Sequence, residues 1–134
     1  MIKNMQASSC KLVVMHSLSV PADKSVVLPE NADVVAEVLA WGRERIAALE
    51  AAGIARERII FDPGIGFGKT APQSLALING IERFLELGVP ILVGHSRKSF
   101  LAGIAADRDE ATLAVSAYLA QKSVAILRVH DVAA

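Results

Sequence analysis

Four short apolar runs, spaced along the whole chain, constrain the fold of this sequence most strongly. Three of them contain only apolar residues, and the fourth is interrupted by a single arginine. The runs occupy residues 12–15, 59–61, 91–93 and 126–129. Continuous apolar runs of this length are typical of strands that are buried on both faces, as in parallel sheets. The sequence therefore predicts four parallel strands.

The intervals between the runs have the periodicity of helices. Residues 32–52 predict a helix with Asn31 as its cap and Gly53 beyond its end. In the next interval Pro72 suits a first helical turn, and Gly88 ends the helix. The apolar residues predicted to face inward are Val34, Val38, Leu39, Ile46 and Leu49 in the first helix and Leu77, Ile78, Ile81, Phe84 and Leu85 in the second.

The third interval predicts a short helical turn at 98–104 and a helix over 110–121 capped by Asp109. The residues predicted to face inward from that helix are Leu113, Ala117 and Ala120. Alternating strands and helices imply right-handed crossovers and an α/β fold with a parallel sheet. In such sheets ligands bind beyond the C-terminal ends of the strands, so we expect the functional residues just after each strand.

The composition narrows the possible partners. Apolar residues make up 53% of the chain and charged residues 21%, which is typical of one packed domain. The 14 basic residues balance the 14 acidic ones, so the charge predicts no nucleic acid and no membrane as a partner. The apolar runs are far shorter than the ~20 residues that span a bilayer, and we expect a cytoplasmic protein. The single Cys10 predicts neither a disulfide framework nor a metal site.

Polar residues mark three of the four strand ends. Asp62 directly follows the second strand, the stretch 94–98 follows the third, and Arg128 and His130 lie on the fourth. A carboxylate in the position of Asp62 can accept a pair of N–H donors from a planar heterocycle edge. The alternative is that Asp62 is a turn or capping residue. We expect these strand ends to converge on one site.

The loop at 62–69 contains three glycines, which allow a ligand to approach the backbone closely, and Phe67, whose ring offers a cover for it. Two phosphate-binding motifs fail in this loop. A P-loop requires glycine where Pro63 stands, and the dinucleotide fingerprint requires its third glycine where Lys69 stands. The loop therefore predicts a ligand site that is neither a P-loop nor a dinucleotide-binding site.

Basic residues after the third strand predict an anion site. Ser96, Arg97 and Lys98 stand at the start of a predicted helix, where free N–H groups and two cations favour a carboxylate or a phosphate. A solvated basic helix start is the alternative. His16 and His95 receive no role, because their spacing forms no metal site.

On the fourth strand, Arg128 and His130 alternate by two and therefore share a face. We expect Arg128 to be buried, and a buried arginine needs an anionic partner. That partner is either a ligand or, within the chain, Asp131.

These strand ends resemble the motifs of one enzyme family. The strings DPGIGFGKT, LVGHSRKSF and ILRVHDV, preceded by VVMHS, resemble those of dihydropteroate synthases in order and spacing. The resemblance implies a TIM (β/α)8 barrel that joins 6-hydroxymethyl-dihydropterin pyrophosphate to p-aminobenzoate, releases pyrophosphate and forms dihydropteroate for folate synthesis. It also implies that residues 1–134 are a single partial pterin-binding domain, the C-terminal part of the barrel, with the N-terminal strands absent.

The resemblance assigns roles to matching residues. Asp62 would bind the amino-pyrimidine edge of the pterin, Lys98 would hydrogen-bond its ring, and Arg128 would lie over it while Met15 lines the pocket. The implied catalytic residues are Lys98, Arg128 and His130, and the implied substrate-binding residues are Met15, Asp62, Gly66, Phe67, Gly94, Ser96, Arg97, Lys98, Arg128 and His130. Among these, Arg128 and His130 would hold the pyrophosphate. The p-aminobenzoate would contact the residues Phe67, Ser96 and Arg97.

The resemblance also sets expectations about cofactor and assembly. It implies Mg²⁺, bound through the pyrophosphate and an N-terminal residue that is absent here. A four-stranded part of a barrel exposes sheet edges, so we expect a homo-oligomer or a complement with the missing half, and no activity alone. Ser19 and Ser123 stand where the family usually has glycine.

Two alternatives to an enzyme of this kind stay open. The chain could be a noncatalytic half-barrel that serves in binding or assembly. It could also be the pterin-binding domain of a methyltetrahydrofolate methyltransferase, although the SRKS and RVHDV strings disfavour that family.

Overall fold

The computed structural model describes residues 2–21, 23 and 25–132. Parallel strands form at all of the predicted apolar runs, and the α/β prediction is confirmed. The strands are β1 (Leu12–Met15), β2 (Ile59–Asp62), β3 (Leu92–Val93) and β4 (Ile126–Leu127). The last two are shorter than the runs that predicted them.

The strands lie side by side in chain order. β1 pairs with β2 from Leu12 opposite Ile59 to Met15 opposite Asp62. A single bridge between Phe61 and Ile91 joins β2 to β3, and β3 pairs with β4. Because all these pairings are parallel, the C-terminal ends of the strands meet at one edge.

Helices connect the strands. The α-helices are α1 (Ile2–Ala7), α2 (Val34–Ala51), α3 (Ala71–Asn79) and α4 (Arg108–Gln121), and the 3₁₀ helices are Arg56–Arg58, Ile81–Leu87 and Ser99–Gly103. The helix α1 was not predicted. Within the described part of the chain, each helix is too short or too polar to cross a bilayer.

The two predicted helix caps, Asn31 and Asp109, were each wrong by two residues. The side chain of Asp33, not Asn31, accepts the Ala36 N–H at the start of α2. At the start of α4 the side chain of Asp107, not Asp109, is the cap. A cap must reach the N–H groups of the first turn. Where two suitable residues stand two apart, the helix start decides which one reaches them.

The second predicted helix breaks at Gly80 and continues as a 3₁₀ helix. A 3₁₀ helix repeats every three residues, and its buried residues Ile81, Phe84 and Leu87 have that spacing. Leu85, which was predicted to face inward, is 43% exposed. The prediction failed there because it assumed an α-helical repeat throughout.

The face of α4 was also predicted wrongly. Leu113 is 55% exposed, and Ala117 and Ala120 are exposed as well. The residues that α4 buries are Ala111, Thr112, Val115 and Leu119. This helix has small or apolar residues on more than one side, so the sequence periodicity does not select a face.

The core lies between the sheet and the helices. At its centre the rings of Phe61 and Phe84 pack 5.7 Å apart, and both are fully buried. The inner strands β2 and β3 are buried throughout, as predicted. The expectation of burial on both faces was wrong for the outer strands, where Val13 is 53% and Ile126 37% exposed. Among the described residues, each outer strand pairs with another strand on one side only.

Candidate functional site

The candidate site lies where the strands end. Asp62 is the last residue of β2 and stands opposite Met15, the last residue of β1, which is half-buried. The loops 62–69 and 94–98 leave β2 and β3 at this edge, and the backbone N–H of Arg128 donates to Val93 beside them. Parallel pairing therefore brings the functional segments of separate strands together.

Asp62 is a buried carboxylate, only 2% exposed. Its Oδ1 accepts the backbone N–H of Gly64 at 2.8 Å, so it does hold the turn as well. Burial raises the pKa of Asp62, while the Gly64 N–H and the charges of Lys98, Arg128 and Lys69 act in the opposite direction. The nearby cations thus oppose the effect of burial and favour the ionised carboxylate, whose two oxygens can only accept hydrogen bonds.

Two glycines let the loops approach one another. Gly64 has a φ of 73°, and a Cβ there would lie 2.0 Å from the carbonyl oxygen of His16. Gly66 has a φ of 81°, and a Cβ there would meet the side chain of Lys98 at 3.3 Å. The loop after β2 therefore requires residues without side chains at these positions.

Lys98 reaches across to the loop after β2. Its Nζ donates to the carbonyl oxygen of Ile65 and lies 4.6 Å from the centre of the Phe67 ring. Burial lowers the pKa of Lys98 to about 8, opposed by the charge of Asp62 and reinforced by that of Arg128. Lys98 thus connects the loop after β3 to the loop after β2 beside Phe67.

Arg128 lies directly against Gly94. A Cβ at Gly94 would be 2.6 Å from the nearest guanidinium nitrogen, so the glycine makes room for this side chain. Arg128 is exposed, and the expectation that it is buried was wrong. The charge of Asp131, the partner expected within the chain, contributes to raising the pKa of Arg97. An exposed guanidinium is solvated and needs no partner within the chain.

His130 is attached to the loop after β3. Its ring Nδ1 lies 2.8 Å from the Ser96 hydroxyl, which also accepts the backbone N–H of His130 at 3.1 Å. A cavity of about 340 Å³ opens here, lined by Gly94, Ser96, Lys98, Arg128, Val129 and His130. Most of the predicted site residues of the third and fourth strands therefore share one cavity.

Arg97 is not brought into this cavity. Its guanidinium donates to the carboxylate of Asp109 at 2.8 Å on the surface, and this partner raises the pKa of Arg97. The backbone N–H groups expected to bind an anion already have partners within the chain. That of Arg97 donates to the hydroxyl of Thr112, and that of Lys98 donates to the carbonyl oxygen of His95. The predicted short helical turn at 98–104 is confirmed as the 3₁₀ helix Ser99–Gly103, but these two N–H groups at its start are not free for an anion.

Sequence reasoning missed Lys69 and His16. Lys69 is 7% exposed, and its Nζ contacts His16 Nδ1 at 2.8 Å and the carbonyl oxygens of Phe67 and Gly64 at 2.7 and 2.9 Å. Burial lowers the pKa of Lys69 to about 7. The signal in the sequence was a lysine inside a glycine-rich loop, which was considered only as part of a P-loop.

His95, to which the sequence pattern assigns no role, is a second buried histidine of the site. It is fully buried, and its Nε2 lies 2.8 Å from the Ser116 hydroxyl of α4. That hydroxyl donates to the carbonyl oxygen of Thr112, so it accepts the His95 N–H. Burial lowers the pKa of His95. The histidine therefore ties the loop after β3 to α4.

The donor set does not fit a resident metal ion. The described residues contain no group of three or more His, Cys, Asp or Glu side chains that could hold one. At the strand ends the carboxylate of Asp62 stands among the cations Lys69, Lys98 and Arg128. Such surroundings favour an anionic ligand over a divalent cation.

The chain is similar to known folate enzymes. A family model described as pterin binding enzyme matches residues 1–130. A folate synthesis bifunctional protein from Chlamydia caviae is 42% identical over 127 residues, which cover 92% of this chain and 28% of that protein.

Solved structures match over nearly the entire chain. Dihydropteroate synthase from Anaplasma phagocytophilum, solved with 6-hydroxymethylpterin-monophosphate, has a TM-score of 0.89 and 38% identity over 98% of this chain and 53% of that one. The enzyme from Xanthomonas albilineans, solved with 7,8-dihydropteroate, has a TM-score of 0.86 and 36% identity over 98% of this chain and 49% of that one. This chain thus spans about half of these structures. By its sequence and its fold, the chain belongs to the family of pterin-binding enzymes.

Proposed function

We propose that this chain contributes the pterin and pyrophosphate part of a dihydropteroate synthase site, and that its parallel strands form part of a (β/α)8 barrel. The observation that carries the proposal is the buried carboxylate of Asp62 beside the cations Lys98 and Arg128. This arrangement matches a substrate with an N–H-rich ring at one end and a diphosphate at the other. The substrates would be 6-hydroxymethyl-dihydropterin pyrophosphate and p-aminobenzoate.

Asp62 would hold the pterin ring. One of its oxygens already accepts the Gly64 N–H, but an ionised carboxylate has about four acceptor positions. Two of the remaining positions can accept the paired N–H donors of an amino-pyrimidine edge. Lys98 and Arg128 support this role because their charges favour the ionised form of Asp62.

The cations would then stabilise the leaving group. The C–O bond between the pterin methylene and the pyrophosphate breaks, and its electron pair leaves with the pyrophosphate. The arylamine nitrogen of p-aminobenzoate attacks the cationic methylene, forms the new C–N bond and loses a proton. Donors of Lys98, Arg128 and His130, fixed around one cavity, would stabilise the charge on the departing pyrophosphate.

Several assignments rest on the family resemblance. Phe67, Ser96 and Arg97 are proposed p-aminobenzoate contacts, and for Arg97 this requires release from Asp109. Magnesium would enter with the pyrophosphate, since the described residues offer it no carboxylate cluster. The proposed chemistry of the side chains does not depend on that ion.

Binding of 6-hydroxymethylpterin monophosphate, measured by calorimetry, tests the site. We expect the wild-type chain to bind it and Asp62→Asn to bind about tenfold to a hundredfold more weakly, because hydrogen bonds to a charged group contribute about 1.5–3 kcal/mol. Asp33→Asn is the matched control, since asparagine caps a helix as well as aspartate does. Equal affinities for all these proteins, or no binding by the wild type, would contradict the proposal.

Turnover is expected to need further strands. The chain spans about half of the solved dihydropteroate synthases that it matches, and Val13 and Ile126 on its outer strands are exposed. We expect no dihydropteroate from the chain alone, and turnover when a separately produced N-terminal half is added. Sedimentation of the chain by itself would show whether its outer strands instead pair with a second copy. Dihydropteroate formation by the isolated chain would overturn the requirement for a second half.

A further inference from the structure

Lys69 has a buried side-chain nitrogen with three polar contacts. Its three contacts are the carbonyl oxygen of Phe67 at 2.7 Å, Nδ1 of His16 at 2.8 Å and the carbonyl oxygen of Gly64 at 2.9 Å. A lysine ammonium has three N–H donors, so this arrangement uses all of them. Two of the acceptors belong to the loop after β2, and the third follows β1.

His16 holds the other side of this arrangement. When Lys69 is protonated its Nζ can only donate, so Nδ1 of His16 accepts and the neutral ring carries its proton on Nε2. The ring lies edge-on to Trp41 at 5.0 Å, and the backbone N–H of His16 donates to the carbonyl oxygen of Asp62. The carbonyl oxygen of His16 packs against Gly64. Lys69 and His16 therefore fasten the end of β1 to the loop after β2.

We propose that Lys69, held by His16, is a positioning residue that sets the loop conformation in which Asp62 and Phe67 face the ligand. The inference rests on the proposed function but adds a residue that touches neither substrate in it. A buried ammonium is tolerated only when it is hydrogen-bonded. Loop conformations that withdraw the carbonyl groups of Gly64 or Phe67 are therefore disfavoured, and one conformation is selected.

Lys69 affects Asp62 through its charge as well as through the conformation of the loop after β2. The charged groups around Lys69 are Asp62, which favours its ammonium form, and Lys98, which disfavours it; His16 contacts it directly. In turn the Lys69 charge favours the ionised form of Asp62 against the effect of burial. A lysine that merely filled space would leave the titration of Asp62 unchanged.

The test compares Lys69→Met, which removes the nitrogen and keeps an unbranched side chain one atom shorter, with Lys122→Met, a control whose lysine pairs with Glu82. Asp62 is titrated by ¹³C NMR of its carboxyl carbon, without any ligand. We expect the midpoint to move to higher pH in Lys69→Met and to stay unchanged in Lys122→Met. We also expect hydrogen exchange of the Gly64 amide to become about tenfold faster in Lys69→Met only. An unchanged midpoint together with unchanged exchange would overturn the inference.

Affinity for 6-hydroxymethylpterin monophosphate provides the functional readout. Lys69→Met is expected to bind it about tenfold more weakly than the wild-type chain does. A wild-type chain that fails to bind the pterin would refute the proposed function alone. The ligand-free titration and exchange would still decide the role of Lys69.

A second pair of variants covers the case in which Lys69→Met does not fold. His16→Asn keeps an acceptor for Lys69, whereas His16→Leu removes it. We expect exchange of the Gly64 amide to be faster in His16→Leu than in His16→Asn. Equal exchange rates in the two variants would contradict the positioning role.

Discussion

At the scale of single residues, the geometry of this site depends on glycines that let other groups approach the backbone closely. The loop after β2 touches the end of β1 at Gly64 and the side chain of Lys98 at Gly66. The loop after β3 touches Arg128 at Gly94. At each of these contacts a Cβ atom would either clash with its neighbour or fit only tightly. The glycines are therefore as necessary for the geometry of the site as its charged groups are.

The contact at Gly64 can be tested directly. Gly64→Ala places a Cβ 2.0 Å from the carbonyl oxygen of His16 in a residue with positive φ. We expect the free energy of unfolding to fall by more than about 2 kcal/mol, since the left-handed conformation alone costs about 1–2 kcal/mol. Urea denaturation measures it. Gly103→Ala is the control, because nothing lies within 4 Å of its Cβ position, and an equal loss there would contradict the explanation.

Ser123 carries backbone strain that glycine would relieve. It follows the C-cap of α4 with a φ of 62°, the position where glycine is usual. We expect Ser123→Gly to raise the free energy of unfolding by about 0.5–1 kcal/mol, measured by thermal and urea denaturation. Ser19→Gly is the control, since Ser19 is not among the described residues with positive φ. A gain at Ser19 with none at Ser123 would show that the strain is not stored there.

At the scale of elements, the helix α4 shows how packing selects a face. Its sequence offers Leu113 on one side and Leu119 on another, and the structure exposes the first and buries the second. On the buried side Thr112 accepts the backbone N–H of Arg97, and Ser116 accepts from His95. The buried face of α4 is therefore the face whose side chains hydrogen-bond the loop after β3.

This choice of face predicts unequal effects of two similar substitutions. Leu119→Ala should lower the free energy of unfolding by about 2–5 kcal/mol, because it opens a cavity in the core. Leu113→Ala should change it by less than about 1 kcal/mol, because the side chain is 55% exposed. Chemical denaturation of both variants provides the comparison. Similar losses at the two positions would mean that α4 does not pack with this face inward.

At the scale of the whole molecule, the four strands bring charged groups from distant parts of the sequence to one edge. Asp62, Lys69, Lys98 and His16 come from the ends of three different strands. Burial and mutual charge shift their pKa values in directions that depend on this assembly. The stability of the fold should therefore depend on pH through these residues.

His16 gives the clearest pH dependence. Burial and the charge of Lys69 lower its pKa from 6.5 to about 4. Between these values the unfolded chain binds a proton that the folded chain does not, so the free energy of unfolding falls as the pH drops. At pH 5 the loss from His16 is at most about 2 kcal/mol, at about 1.4 kcal/mol per pKa unit.

The variant His16→Asn isolates this contribution. Urea denaturation at neutral pH and at about pH 5 should show a smaller acid-induced loss in His16→Asn than in the wild type. The pKa of the buried His95 is also lowered, but this residue is present in both proteins and cancels in the comparison. Identical losses would contradict a neutral, buried His16.

The sequence by itself determined the strands, their parallel pairing and the family. A short continuous apolar run favours a strand of a parallel sheet, and β1 has the bounds predicted for it although Val13 is exposed. The strand-end motifs depend on residue type and spacing along the chain, so they are readable without coordinates. Asp62, Lys98 and Arg128 are therefore predicted as site residues from the sequence alone.

Only the tertiary structure decided contacts between residues far apart in the sequence. The pairing of Lys69 with His16 joins positions 53 residues apart, and no local pattern records it. The exposure of Arg128 and the surface ion pair of Arg97 likewise depend on what packs beside each side chain. The face of α4 was settled by the loop that it holds, because a helix with apolar residues on several sides takes its orientation from its neighbours.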